Sequence, residues 1–325
     1  MKETNHILLL TFILILSTSC SKKDDNGGGV SSQPTSNIFL ADPTIFEHDG
    51  IYYLYGTSQG SLINKGNGFL VYTSTNLEEW QGPAGITSGF ALKDSDAFGD
   101  TGFWAPQVFY KNETFYMAYT ANEKIAIATS NSPLGPFTNN GNPIAQTRQI
   151  DPFVFFDDNG KTYLYHVRLT NGNRIFVAEM NSDLQSIKEE TLVEAITASE
   201  PWENTANASW SVAEGPTVIK ENDTYSLFYS TNDYRNQDYA VGYATSTSPT
   251  GSWKKSANNP IIHGDMVGEN GTGHGDVFYD TFGNMQYVLH THFSSAVVEP
   301  RKTAVIQLQK NGDNITSIPE TFSFF

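Results

Sequence analysis

Four ionisable residues of this 325-residue chain recur in one setting: Asp42 before Pro43, Asp151 before Pro152, Glu214 ahead of Gly215-Pro216, and His274 between Gly273 and Gly275. Each stands three or four places ahead of an apolar pair: Ile45-Phe46, Val154-Phe155, Val218-Ile219 and Val277-Phe278. A fifth pair, Val108-Phe109, has Ala105 at that offset, preceded by Trp104. Singly, an Asp before Pro is a turn or strand-opening residue, the Glu a loop carboxylate, and the His a hydrogen-bonded core side chain. Brought to one place they would do chemistry. Like charges at close quarters push pKa values apart, leaving one carboxyl to give a proton and another to take one. Trp104 in the same ring offers either an apolar face to a ligand's C–H groups or simple core packing.

The elements that must position these residues are legible as a repeat. Ile45-Phe46, a turn at Asp49-Gly50 and Tyr52-Tyr53-Leu54-Tyr55 read as two strands of a hairpin. The phrase returns at Val108-Phe109 with Phe115–Tyr119, at Val154-Phe155 with Tyr163–Tyr165, at Val218-Ile219 with Tyr225–Tyr229, and at Val277-Phe278 with Tyr287–His290. A third strand and a polar turn follow in several copies, with Trp80, Phe137 and Trp253 where a fourth strand would begin. Spacings of 46 to 64 residues between Pro106, Pro152 and Pro216 fit propeller blades. A β-sandwich would supply similar strands but no reason for five copies of one phrase. The expected fold is all-β, a five-bladed β-propeller over residues 37–325, in which the heads of the innermost strands face one another around the axis.

The formal net charge of −16 disfavours a nucleic-acid partner and is indifferent to a neutral sugar. Residues 1–20 read as an export signal: the apolar run Ile7–Leu16 is too short to span a bilayer, and small residues precede Cys20. Cys20 is the chain's one cysteine, so no internal disulfide forms. Its position resembles a bacterial lipoprotein acylation site, although Ser17 stands where such sites usually carry Leu. Residues 21–36, opening Ser-Lys-Lys-Asp-Asp-Asn and continuing through three glycines, read as a flexible linker. An exported, monomeric outer-membrane lipoprotein, touching the membrane through this anchor alone, is the expectation.

The sequence resembles glycoside hydrolase family 43. Ala41-Asp42-Pro43-Thr44, Ile150-Asp151-Pro152-Phe153 and Ala213-Glu214-Gly215-Pro216 look like its three acidic motifs. Phe103-Trp104-Ala105-Pro106 and Gly271-Thr272-Gly273-His274-Gly275 match further recurrent segments. The resemblance covers about residues 37 to 310 and implies an inverting hydrolase of plant polysaccharide, exo-acting on arabinofuranosyl or β-xylosyl units. It makes Asp42 the general base, Glu214 the general acid and Asp151 the modulator of the acid's pKa. Trp104 and Arg301 would bind substrate, the alternative for Arg301 being a surface charge. No cofactor is required, but a calcium ion in the channel is implied near His274, its shell largely water because imidazole is an unusual calcium ligand. Two other readings use the same scaffold. A non-catalytic sugar-binding lipoprotein predicts loss of a carboxylate, and all three are present. A retaining fructan-type hydrolase predicts an Asn-Asp-Pro-Asn motif where this chain has Ala41-Asp42-Pro43-Thr44.

Overall fold

A computed structural model describes residues 38–58 and 67–325. The expected signal segment 1–20 with Cys20 and the linker 21–36 lie outside the described residues. The described chain is a five-bladed β-propeller, each blade an antiparallel meander with strands in sequence order. Blade one comprises β1 (Ala41–His48), β2 (Ile51–Thr57), β3 (Gly68–Ser74) and β4 (Phe90–Lys93). Blade two has β5 (Trp104–Lys111), β6 (Thr114–Ala121) and β7 (Lys124–Ser130). Blade three has β8 (Gln149–Phe156), β9 (Thr162–Leu169), β10 (Asn173–Glu179) and β11 (Val193–Ile196). Blade four runs through β12 (Ala213–Glu221), β13 (Thr224–Thr231), β14 (Ala240–Ser246) and β15 (Lys254–Lys255). Blade five comprises β16 (Gly273–Tyr279), β17 (Met285–Thr291), β18 (Lys302–Asn311) and β19 (Asn314–Phe324).

The fourth strands depart from expectation. Trp80 precedes only an isolated bridge, Thr73 to Gln81, and β4 begins ten residues later, after the Gly82-Pro83 break. Phe137 lies beside a single bridge, Thr129 to Thr138, so blade two has three strands. Trp253 does precede a fourth strand, the two-residue β15.

The core is a ring of five apolar clusters, one at each blade-to-blade interface. Tyrosines and phenylalanines dominate it because a pleated face half-covered by the next blade favours large flat side chains. Each fully buried aromatic contributes about 1.5–3 kcal/mol. Several tyrosines satisfy their hydroxyls across an interface: Tyr55 donates to the Pro133 carbonyl at 2.5 Å, and Tyr165 to that of Pro249. Blade five closes on the start of the described chain, where the Thr303 hydroxyl accepts from the Leu40 N–H at 3.0 Å and donates to its carbonyl at 2.9 Å.

The same irregularity opens every innermost strand. One extra residue enters β1, β5, β8, β12 and β16 relative to its partner strand, a β-bulge in each blade. The bulged residues Asp42, Ala105, Asp151, Gly215 and His274 all have left-handed backbone, with φ of 46°, 46°, 54°, 58° and 39°. A bulge interrupts the ladder, so the prolines that follow in four blades sacrifice no strand hydrogen bond. In blade four the bulged position is glycine, which moves the carboxyl one step upstream to Glu214.

Candidate active site

The bulges turn the head residues toward the axis. Asp42, Trp104, Asp151, Glu214, His274 and Arg301 line one cavity of about 350 Å³ at that end of the propeller. All six residues singled out in the sequence are brought together. The three carboxylates are 8%, 5% and 8% exposed in chain order, so each is desolvated almost completely.

A ring of hydrogen bonds ties each head to the preceding blade. The Ala105 N–H donates to the Thr57 hydroxyl at 3.0 Å, Asp151 N–H to Thr120 at 2.9 Å, and His274 N–H to Ser230 at 2.8 Å. The Asp42 N–H donates to His290 Nδ1 at 3.1 Å. Thr57, Thr120, Ser230 and His290 occupy equivalent places near the ends of the second strands, and the blade-three equivalent is Val167. Valine has no polar atom to offer. The Gly215 N–H of blade four donates instead to Asp151 Oδ2 at 3.2 Å. Asp151 thus ties its own blade to the peptide that follows Glu214. Gly215 also has to be small: a Cβ there would lie 2.7 Å from His274 Cδ2.

The environments of the carboxyls differ. Burial, the largest single influence, would raise Asp42, but the Arg301 guanidinium, His274, His290 and the Thr57 hydroxyl together outweigh it and hold Asp42 well below the usual carboxylate range. Arg301 Nη1 is 3.1 Å from Asp42 Oδ1, and Thr57 donates to Oδ2 at 2.6 Å. His274 and His290 each place Nδ1 3.4 Å from Oδ1, and burial pushes both rings below the ordinary imidazole value.

Glu214 goes the other way. Burial is the main cause, the negative charges of Asp42 and Asp233 add to it, and hydrogen bonds from Tyr239 and Asn173 oppose it, leaving the carboxyl pushed up to about 7. Tyr239 donates to Oε1 and Asn173 to Oε2, each at 2.8 Å. Asp151 is raised well above its ordinary value by burial and by the charges of Glu214 and Asp42. The cavity therefore holds an ionised carboxylate beside a carboxyl pair that retains a proton at neutral pH.

Arg301 is 8% exposed rather than a surface charge, and its guanidinium lies 4.6 Å from the Tyr234 ring centre. Trp104, half-buried at the start of β5, forms part of the wall. Beneath His274 lies an axial cavity of about 20 Å³, room for about one water. Among the described residues no three His, Cys, Asp or Glu side chains converge to hold a metal ion. Nearby Asp276 has both oxygens engaged by the hydroxyls of Thr44 and Thr217, at 2.7 and 2.5 Å. This donor set does not fit a directly ligated calcium, which takes six to eight oxygens.

Sequence reasoning missed Thr57, His290, Tyr239, Asn173 and Trp210. The first two carried a usable signal, because extending the repeat alignment to the second strands superposes Thr57, Thr120, Ser230 and His290. Trp210 sits in a segment after β11 that no other blade repeats, and Asn173 and Tyr239 stand at the entry to the third strands β10 and β14, where no residue type is common to the blades.

Residues 31–314 match the family model described as Glycosyl hydrolases family 43. The chain belongs to glycoside hydrolase family 43. It is 40% identical to a solved structure described as an endo-1,4-β-xylanase from Bacteroides thetaiotaomicron, with a TM-score of 0.79 over 86% of this chain and 94% of that one. A thermostable family-43 glycoside hydrolase superposes with a TM-score of 0.76 at 34% identity, covering 87% and 94% of the two chains. Among curated sequences, the xylosidase/arabinosidase 43A of Humicola insolens is 29% identical over 61% of this chain and 74% of that protein. This family 43 member is therefore an O-glycosyl hydrolase, and the carboxylate cavity is its candidate active site.

Proposed function

We propose that the protein is an inverting glycoside hydrolase acting on xylan- or arabinan-type chains, with Asp42 as general base and Glu214 as general acid. One observation carries this reading: two carboxyls in a single cavity are driven in opposite directions, Asp42 down by Arg301 and Glu214 up to about 7 by burial. Opposed titration is the arrangement acid–base hydrolysis needs. Glu214 protonates the glycosidic oxygen as that bond breaks. Asp42 takes a proton from a water that attacks the anomeric carbon from the opposite face, so the configuration inverts. Asp151, itself raised by burial and by the charges of Glu214 and Asp42, shares the proton of the pair with Glu214 and holds the Glu214–Gly215 peptide by accepting the Gly215 N–H. Arg301, committed to Asp42 through Nη1, binds substrate hydroxyls with its remaining donors, and Trp104 supplies an apolar face to the ring. No step is assigned to a metal ion.

The substrate class rests on relatives whose names include xylosidase, arabinosidase and xylanase. We read the action as exo because the cavity is at the small end of ligand sites, which run to about 1,000 Å³. The name of the 40% identical structure favours a second reading, endo-cleavage of xylan. Product analysis on polymeric xylan and arabinan separates them: monosaccharide from the first minutes supports exo-action, and a ladder of oligosaccharides supports the other. The catalytic assignment is tested with Glu214→Gln and Asp42→Asn. Each is expected to lose at least a hundredfold in kcat on natural oligosaccharides, and near wild-type turnover by either folded variant overturns its role.

A further inference from the structure

Among the described residues, the cavity wall carries one large apolar side chain that remains substantially in solvent: Trp210, 48% exposed. Its indole N–H donates to Asn173 Oδ1 at 2.9 Å, and Asn173 Nδ2 donates in turn to Glu214 Oε2 at 2.8 Å. Chemistry dictates the order of this chain. An indole nitrogen only donates, so the Asn173 amide must turn its carbonyl to Trp210 and its NH₂ to the carboxyl. The segment bearing Trp210 is docked by backbone: Asn173 N–H donates to the Ser211 carbonyl at 2.9 Å, and Asn173 bridges Val212 in parallel. The turn before Asn173 permits this because position 172 is glycine. Its φ is 120°, and a Cβ there would sit 2.7 Å from the Ser211 oxygen.

We propose that Trp210 and Asn173 form the leaving-group subsite, the indole stacking on the neutral sugar ring that is released and, through its N–H, fixing the amide that faces the Glu214 carboxyl. The proposal rests on the reading of Glu214 as the acid. Its physical content is a link between the ring that departs and the group that protonates it. With the amide fixed, Oε2 always meets an N–H donor, which favours the ionised carboxylate. With the amide free, it can rotate its carbonyl toward a protonated Glu214 and favour that form instead. The other groups facing Glu214 are Asp151 of blade three, Asp42 of blade one, and Asp233 and Tyr239 of blade four, with His274 and Arg301 in the same cavity. None of these changes when Trp210 is replaced.

The test compares Trp210→Phe and Trp210→Ala with wild type on two substrates: the best oligosaccharide, and the glycosyl fluoride of the same sugar, whose leaving group has no ring. Trp210→Phe keeps an aromatic face but loses the N–H, so the alkaline limb of kcat/KM shifts upward by about half to one pH unit. Trp210→Ala raises KM for the oligosaccharide about tenfold, the change expected from losing an apolar face, and leaves KM for the fluoride within about twofold. An unmoved alkaline limb in Trp210→Phe overturns the link to Glu214. Equal effects of Trp210→Ala on both substrates overturn the subsite. Glu214→Gln is run alongside on the oligosaccharide: if it keeps wild-type activity there, the underlying acid assignment has failed, whereas an inactive Glu214→Gln with unaltered Trp210 variants sinks this inference alone.

Discussion

Replacing Arg301 with Met probes the device that keeps Asp42 ionised. The guanidinium nitrogen 3.1 Å from Asp42 Oδ1 contributes roughly 5 kcal/mol of attraction at an effective dielectric of about 20. That bare figure corresponds to nearly four pH units. It overstates the outcome, because His274, His290 and the Thr57 hydroxyl also favour the carboxylate and remain in place. Carboxylates beside an arginine are lowered by about 1–3 units, so loss of Arg301 should raise Asp42 by about that much. A base must be deprotonated to act. The acid limb of kcat/KM, which reports the free enzyme, therefore moves up by about 1–3 units, while the alkaline limb set by Glu214 stays near 7 and the bell narrows from its acid side. The linkage has a definite sign. With its folded pKa depressed, Asp42 adds stability above its unfolded value of about 3.9, and that stability is lost as pH falls through the folded value. Removing Arg301 leaves Asp42 buried without its partner, a cost of about 3–5 kcal/mol visible in denaturant unfolding. Arg301→Lys keeps a charge without the planar fork and should shift the limb less. A folded Arg301→Met enzyme whose acid limb has not moved would refute the reasoning.

Three further outcomes follow from the ring of strand heads. Thr57→Val removes both the donor to Asp42 Oδ2 and the acceptor for the Ala105 N–H. It should destabilise by about 1–3 kcal/mol in chemical denaturation and raise the acid limb. Thr120→Val strips only the backbone N–H of Asp151 of its acceptor, so a similar loss of stability should come with both pH limbs unmoved. Gly215→Ala forces a Cβ to within 2.7 Å of the His274 ring at a left-handed φ. It should lower Tm and cut kcat/KM, and wild-type values for both would contradict the close seating of Gly215 on His274.

The strand heads were legible because four of the five bulges, all but that at Ala105, repeat in sequence as a residue suited to left-handed backbone, usually ahead of proline. Asp42, Asp151 and His274 aligned directly, and the one-step offset of Glu214 has its cause in the glycine of the fourth bulge. Arg301 carried no such repeat; its burial against Asp42 depends on how β18 meets β1, which no local pattern encodes. The hydroxyls of Thr57, Thr120 and Ser230 were hidden at the ends of apolar strands, where a small polar residue reads as the start of a loop. Trp210 was beyond reach because the segment following β11 has no counterpart in the other blades, and Asn173, at the head of β10, acquires its role only from contact with that segment and with Glu214. The misplaced fourth strands share one cause. Outer strands touch fewer neighbours, so local breakers such as Gly82-Pro83 decide where they form.

Product stereochemistry bears most directly on the claim that Asp42 activates water while Glu214 protonates the leaving oxygen. Proton NMR of the first seconds of hydrolysis, before mutarotation, should show the released sugar with its anomeric configuration reversed relative to the substrate. A first-formed product of unchanged configuration would mean that a protein group, rather than water, attacks the anomeric carbon, and would contradict the roles given to both carboxyls.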